Sequence, residues 1–486
     1  MRSPRSPAGR LAAAVATAAF GTALLAGCSL GSASPAPSAA RRATQAPGRL
    51  VSVTVLPQLA GTRLPPGFVG LSLEATTLVQ DDFAHTNLAA YLRTLGAGGV
   101  IRIGGNTVDE TFWTSTAQPP PRWSQGTITP RSLAFLAGTI AGTGWRVILG
   151  VNLKHPDPAR SADEARYAHR ILGPGLAAIE IGNEPDYYYR RESAYFAEFE
   201  RYVRAIRAAV PGLALAGPDS AREDVRWPEA FARSEAPHPD VALLTAHNYP
   251  LSVCDGHRPT LAQLLSTGSV REEQRVASAV VAAARADRLP AVIDETNSVV
   301  CWGATGVSNV YGSALWVLDY ALLLAEDGVT GADFHGKISG CNPYSPLCPA
   351  VAGGALTAQP EFYGLLALDQ AGSGWFARLA DADPAGVRAY AIETAPGRLS
   401  IVLDNVGPAV TVDVRVPQGH YSRARQAVLA TSSPGGLSAT GAISIGGRRI
   451  AGDGVFPAPA YTPVTVTAGS ATVRLAAHTA AILKLS

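Results

Sequence analysis

The chain has few cysteines, no long basic run and, beyond its first 28 residues, no apolar stretch long enough to cross a membrane. Each absence narrows the field. A net charge of +2 over 486 residues argues against nucleic acid as a partner, because phosphate recognition needs a concentrated basic face. With no second apolar segment, the body is expected to be soluble, and any membrane attachment confined to its start. The five cysteines lack the close Cys/His pairs that zinc prefers, so no metal site is expected. Setting Cys28 aside leaves an even set of four, Cys254, Cys301, Cys341 and Cys348, for which export makes disulfides the default. The expected pairs are Cys341 with Cys348, closing the loop C-N-P-Y-S-P-L-C, and Cys254 with Cys301.

What is present begins with a targeting segment, residues 1–28. Arg2, Arg5 and Arg10 flank the start of an apolar run, Leu11–Leu25, which Leu25-Ala26-Gly27-Cys28 closes. The pattern resembles a bacterial lipoprotein signal, cleaved before Cys28 with lipid on its sulfur. That would anchor the body at the extracytoplasmic face of the cell membrane. The plainer reading is an ordinary signal peptide with an incidental cysteine. Residues 29–49, rich in Ser, Ala and Pro, read as a flexible tether.

The remainder is long enough for one large barrel and a smaller domain. Apolar runs suited to buried strands fall at Phe68–Glu74, Gly99–Ile103, Arg146–Val151, Ala177–Gly182, Leu213–Gly217, Val241–His247, Ala291–Glu295 and Gly331–His335. Helix-period stretches such as Ala194–Val210 and Val310–Glu326 separate them. Eight is the number that a closed parallel barrel requires, so residues 67–375 are expected to form a (β/α)8 barrel, an α/β fold. From residue 376 to 486 the runs shorten and alternate, as in Leu399–Leu403 and Val410–Val416, the pattern of an antiparallel β-sandwich. Residues 50–66 begin with the same alternation (L-V-S-V-T-V-L), so the N-terminal strand is expected to join that sandwich.

Two of the barrel strands end in glutamate. Ala177–Pro185 reads A-A-I-E-I-G-N-E-P and Leu289–Asn297 reads L-P-A-V-I-D-E-T-N, which sets Glu184 and Glu295 at the face where barrels keep their chemistry. Two carboxyl groups on one cavity are what glycoside hydrolysis needs, one protonated to donate and one ionised to attack. Burial and mutual repulsion would push their pKa values apart. A lone Glu after an apolar strand is usually a solvated loop residue. The pair at barrel positions, one of them in N-E-P, is the stronger signal. No metal or organic cofactor is called for by such chemistry.

These motifs resemble the clan of barrel glycosidases that carry acid/base and nucleophile after the fourth and seventh strands. Within it, G-L-S-L-E at Gly70–Glu74, I-R-I-G-G-N at Ile101–Asn106, H-N-Y-P at His247–Pro250 and D-F-H-G at Asp333–Gly336 resemble glycoside hydrolase family 79, which contains β-glucuronidases and heparanase-like enzymes. The resemblance runs from Leu50 to the C-terminus. It implies double displacement on a β-linked uronide, with Glu184 as acid/base and Glu295 as nucleophile. Glu74, Asn106, Asn183, Tyr249 and His335 would line the sugar site, with Tyr249 bonded to the nucleophile. Arg102 would pair with a catalytic carboxylate from below, and His247 would support the site. The one partner implied is a carbohydrate, and the chain is expected to be a monomer.

One stretch departs from the family. A Tyr followed by glycines soon after the nucleophile would hold a uronic carboxylate, and here Val299-Val300-Cys301-Trp302-Gly303 stands instead. Lys337 or Lys154 could compensate, or Trp302 and Tyr344 could stack on a sugar face. Tyr187-Tyr188-Tyr189 suggests either an aromatic rim of the cleft or packing under a neighbouring loop. Two rival readings follow: the same mechanism on a neutral sugar, and a surface carbohydrate-binding lipoprotein without activity.

Overall fold

The computed structural model describes residues 49–486 apart from 222–224, 236–237, 352 and 384–385. The targeting segment, Cys28 and nearly all of the tether lie outside the described residues. Among the described residues no helix is long and apolar enough to cross a membrane.

Eight parallel strands close into a barrel: Val69–Glu74, Val100–Gly104, Arg146–Val151, Leu176–Ile181, Leu215–Ser220, Val241–Asn248, Ala291–Thr296 and Gly331–Gly336. They follow one another around the ring in chain order, and the eighth pairs with the first. Nearly every residue in them is buried, because helices cover the outside and side chains fill the inside. The fifth strand runs to Ser220, three residues beyond the expected end at Gly217. Asp219 and Ser220 are both fully buried, and Asp219 points into a network described below.

Helix Tyr311–Asp327 is buried on all sides for most of its length. Its Tyr311 hydroxyl donates to the carbonyls of Leu429 and His478, so this helix is the floor on which the sandwich rests. Helix Pro360–Ala371 packs beside it at a glycine: a Cβ on Gly364 would lie 2.2 Å from the Ala314 carbonyl oxygen.

Besides three two-stranded pairs, the remaining strands form one curled sheet of eleven. Its inner faces enclose a separate apolar core that includes Val53, Ala391, Ile401, Val412, Val473 and Leu483. The N-terminal strand Arg49–Leu64 joins it, as the alternation implied. From Arg49 to Thr54 it pairs in parallel with Val410–Arg415, and from Val55 to Leu64 it pairs antiparallel with Gly374–Leu379. One parallel pair therefore interrupts the antiparallel pattern. Both expected disulfides form, Cys254–Cys301 and Cys341–Cys348, with Cα atoms 5.7 and 5.0 Å apart.

Candidate active site

The barrel's C-terminal face opens into a cavity of about 330 Å³, lined by Glu74, Asn106, Glu184, Tyr249, Glu295, Trp302, His335 and Tyr344 among others. Glu184 sits one turn past the fourth strand with its backbone in the left-handed region (φ +44°), after Gly182 at φ +95°. For a residue with a Cβ that conformation is strained, and such strain gathers at functional sites. Its backbone N–H donates to the Asp219 carbonyl at 2.9 Å, fixing the turn against the fifth strand. Glu295 enters from the seventh strand. One oxygen of each carboxyl group and a ring nitrogen of His247 all lie within 4.8 Å of one another.

Arg102, on the second strand, lies fully buried beneath both. Its Nη1 donates to Glu295 Oε2 at 2.7 Å, its Nε to Glu180 Oε2 at 2.8 Å, and its Nη2 to Asp219 Oδ2 at 2.5 Å and Asn183 Oδ1 at 2.9 Å. The expected pairing from below is present. Tyr249 donates its hydroxyl to Glu295 Oε1 at 2.9 Å, as also expected. His335 stands 3.5 Å from Glu295 and 3.7 Å from Glu74, with Ser72 on its Nδ1. Glu74 is held by the backbone N–H and hydroxyl of Thr107. Asn183 donates weakly to Asn106 at 3.4 Å.

These contacts push the two carboxyl groups apart. Burial alone would raise Glu295, but His335, His247 and Arg102, with the Tyr249 hydrogen bond, outweigh it and pull its pKa down to about 2. Burial raises Glu184 above the ordinary carboxyl range. The His247 hydrogen bond opposes this, and the charges of Glu295 and Asp219 add to it. His247 stands between Glu184 Oε1 (2.9 Å) and Asp219 Oδ1 (2.7 Å), one on each ring nitrogen. Burial disfavours its charge, yet Asp219 and Glu295 hold it well above the usual histidine value, so it sits there as an imidazolium.

Below Arg102 the carboxyl groups outnumber the cations. Glu180 Oε1 and both Asp294 oxygens have no donor. Burial, Asp219 and Glu180 drive the Asp294 pKa far up, so a proton on Asp294 facing Glu180 supplies the missing donor. Sequence reasoning gave Asp219 no motif and missed Glu180, Asp294 and Thr107. For Glu180 and Asp294 a signal existed, since each is a charged residue inside an otherwise apolar buried strand.

Neither lysine supplies a compensating charge: Lys154 and Lys337 do not line the cavity. Lys154 sits on the loop after the third strand, where Asp109 takes its backbone N–H, and Lys337 is the exposed first residue past the eighth strand. Trp302 is at the rim, 45% exposed, its ring centroid 6.3 Å from that of His335. It is the middle of three consecutive left-handed residues, Cys301, Trp302 and Gly303, a segment tied to the Cys254 loop by the disulfide. Of the three tyrosines, only Tyr187 reaches the cavity; Tyr188 and Tyr189 pack inward against the barrel core.

The fold and these positions define a (β/α)8 barrel with an appended β-sandwich and a paired-carboxyl cavity at the C-terminal mouth. Solved structures with this architecture include a 4-O-α-L-rhamnosyl-β-D-glucuronidase from Fusarium oxysporum, at 23% identity and TM-score 0.76, covering 89% of this chain and all of that one. A GH51 arabinofuranosidase from Xanthomonas axonopodis pv. citri matches at 15% identity and TM-score 0.66, covering 90% and 99%. In sequence the chain is 28% identical over 288 residues to a β-glucuronidase of Aspergillus niger, covering 49% of this chain and 51% of the relative. It is 27% identical over 284 residues to a β-glucuronidase of Neurospora crassa, covering 49% and 50%. The matches thus span about half the length of these curated relatives. No family model matches the chain.

Proposed function

We propose that this protein is a glycoside hydrolase that cleaves β-linked glycosides, β-glucuronides first among them, with retention of configuration, in the manner of family 79. The observation that carries the reading is the approach of a Glu184 oxygen to a Glu295 oxygen within 4.8 Å. Retaining pairs stand roughly 5–5.5 Å apart, whereas inverting pairs leave roughly 6.5–9.5 Å for a water. The β-glucuronidase relatives support the sugar.

In the mechanism the ionised Glu295 attacks the anomeric carbon while Glu184 gives its proton to the departing glycosidic oxygen. A glycosyl ester on Glu295 and a free aglycone result. Glu184, now ionised, takes a proton from water, whose oxygen attacks the same carbon and releases Glu295. His247 stabilises the Glu184 carboxylate formed between the two steps. Tyr249, Arg102 and His335 keep Glu295 ionised at the start. Glu74 and Asn106 on the cavity wall offer acceptors to sugar hydroxyls, and Asn183, expected in the same site but absent from the lining, sits behind them between Arg102 and Asn106. The same proposal puts the protein outside the cytoplasm, lipid-anchored through Cys28; metabolic labelling with a palmitate analogue, lost in Cys28→Ala, tests that part.

A second reading keeps the mechanism and changes the sugar to a neutral one. Its motive is the rim, where Trp302 occupies the expected carboxylate position and no lysine lines the cavity. Hydrolysis of p-nitrophenyl β-D-glucuronide beside the glucoside, galactoside and xyloside separates the two. Turnover of none, with Glu184→Gln and Glu295→Gln indistinguishable from the parent, would leave the binding-protein reading.

A further inference from the structure

The sandwich carries a second cavity, larger than the first and opposite in chemistry. It measures about 1040 Å³ and is lined by Arg398, Arg423, Arg425, Lys484 and Tyr461, with no Asp or Glu side chain on its wall among the described residues. Three neighbouring strands build it: Arg398–Asn405, Thr479–Leu485 and Ala424–Thr431. In their register Lys484 stands between Ser400 and Arg425. Two cations therefore face each other directly across a strand pair, an arrangement that by itself destabilises the sheet. Arg423 lies just before the last of these strands, two residues from Arg425, and lines the same cavity.

Several other surface arginines sit beside acids, as Arg201 does with Glu198, Arg275 with Glu272 and Arg415 with Asp413. Among the described residues the four groove cations make no ion pair. Lys484 donates to the Ala371 carbonyl at 2.5 Å, and Arg425 lies over the Tyr461 ring at 4.6 Å. Burial and the nearby Arg425 lower the Lys484 pKa to about 8, with Asp369 behind it acting the other way. One oxygen of the Ser486 α-carboxylate, the anionic group on this wall, accepts the backbone N–H groups of Ser422 and Arg423.

We propose that this groove binds an acidic polysaccharide, its anionic groups held by Arg398, Arg423, Arg425 and Lys484, so that the sandwich docks the polymer on which the barrel acts. The choice of a glycan rests on the function proposed above; the anion-binding chemistry does not. Three features favour this occupant over other polyanions. The site is concave, which suits a chain better than a flat bilayer, and none of the large exposed apolar residues of the protein lines it. Its one aromatic ring is already covered by Arg425, whereas single-stranded nucleic acid is gripped by open stacking platforms. Thr394, Ser422 and Thr465 on the wall supply hydroxyl partners for sugar hydroxyl groups.

The test is affinity electrophoresis of residues 29–486 through gels containing hyaluronan, with dextran as neutral control, for the parent and Arg423→Ala/Arg425→Ala, each with and without Glu295→Gln. The proposal predicts hyaluronan-specific retardation that weakens with salt. It should fall at least tenfold in apparent affinity in the double arginine variant, while turnover of p-nitrophenyl glycosides stays unchanged. Retardation that persists with Glu295→Gln isolates docking from catalysis, so loss of the glycosidase reading would not register as loss of the groove. Equal retardation in dextran, or undiminished hyaluronan binding by a double variant with native circular dichroism, would overturn it. So would stronger binding to phosphatidylserine vesicles or oligonucleotides than to hyaluronan. Lys484→Gln is the second variant should the double one not fold, with the same outcomes read from it.

Discussion

Two buried arginines sit among carboxyl groups in this molecule, and the structure uses them differently. Arg102 lies at the base of the cavity, bonded to Glu180, Asp219 and Glu295. Arg388 lies where sandwich strand Val387–Ala395 meets helix Tyr311–Asp327, bonded to Asp319, whose other oxygen takes the Tyr390 hydroxyl at 2.8 Å. The Glu295 side chain keeps 11% of its surface open toward the cavity, and that of Asp319 keeps 2%. The first cluster offers one carboxylate to a ligand and holds the rest in reserve behind it. The second is sealed and ties the sandwich to the barrel. A buried arginine is therefore no sign of catalysis by itself; the carboxylate it leaves reachable is.

Substitutions should separate the two clusters, and the largest effect should come from the open one. Glu295→Gln is expected to lower kcat/KM by at least ~10⁴-fold, with little change in urea midpoint. Arg388→Leu should do the reverse. Stranding Asp319 without its partner should cost about 3–5 kcal/mol in urea unfolding and leave kcat/KM of the folded fraction unchanged. A large stability loss from Glu295→Gln, or a large activity loss from Arg388→Leu, would erase the distinction.

The pH dependence sharpens the comparison further. On the open side, the proposed mechanism needs Glu295 ionised and Glu184 protonated, so kcat/KM is expected to fall as pH drops toward about 2 and as it rises through the elevated Glu184 pKa. His247 lowers both groups. His247→Asn should therefore move both limbs of the profile to higher pH, and should cost less than the about 10²–10⁴-fold of losing the acid itself. On the sealed side, Glu273 beside Asp319 has its pKa raised by burial to about 8. It is protonated in the fold and ionised in the unfolded chain above about 4.5, so the stability it contributes is complete below that pH and is lost as pH rises toward 8. Glu273→Gln should flatten the decline of stability over that window, the smallest of these effects.

The sequence revealed the parts of this architecture that repeat or end abruptly. Eight apolar runs and their helical spacers gave the barrel, and alternation in Leu50–Leu56 gave the crossing of the N-terminal strand into the sandwich. Glu184 and Glu295 were visible because each ends such a run. Asp219 stood at the end of the fifth strand, placed to orient a neighbour but with no motif to mark it, and the fold buries it to receive Arg102 and His247. The protonated Asp294–Glu180 pair was hidden for another reason: it exists only because barrel closure brings the fourth and seventh strands across from each other. The cationic groove was illegible because Arg398, Arg425 and Lys484 come from separated strands that only the sheet register aligns.

The central claim is that Glu184 and Glu295 act as a retaining pair, and the anomer released first tests it most directly. Proton NMR of early p-nitrophenyl β-D-glucuronide hydrolysis should show the β-hemiacetal appearing before mutarotation yields the α form. Appearance of the α-anomer first would mean inversion through a water that the present carboxyl separation leaves no room for, and would contradict the account.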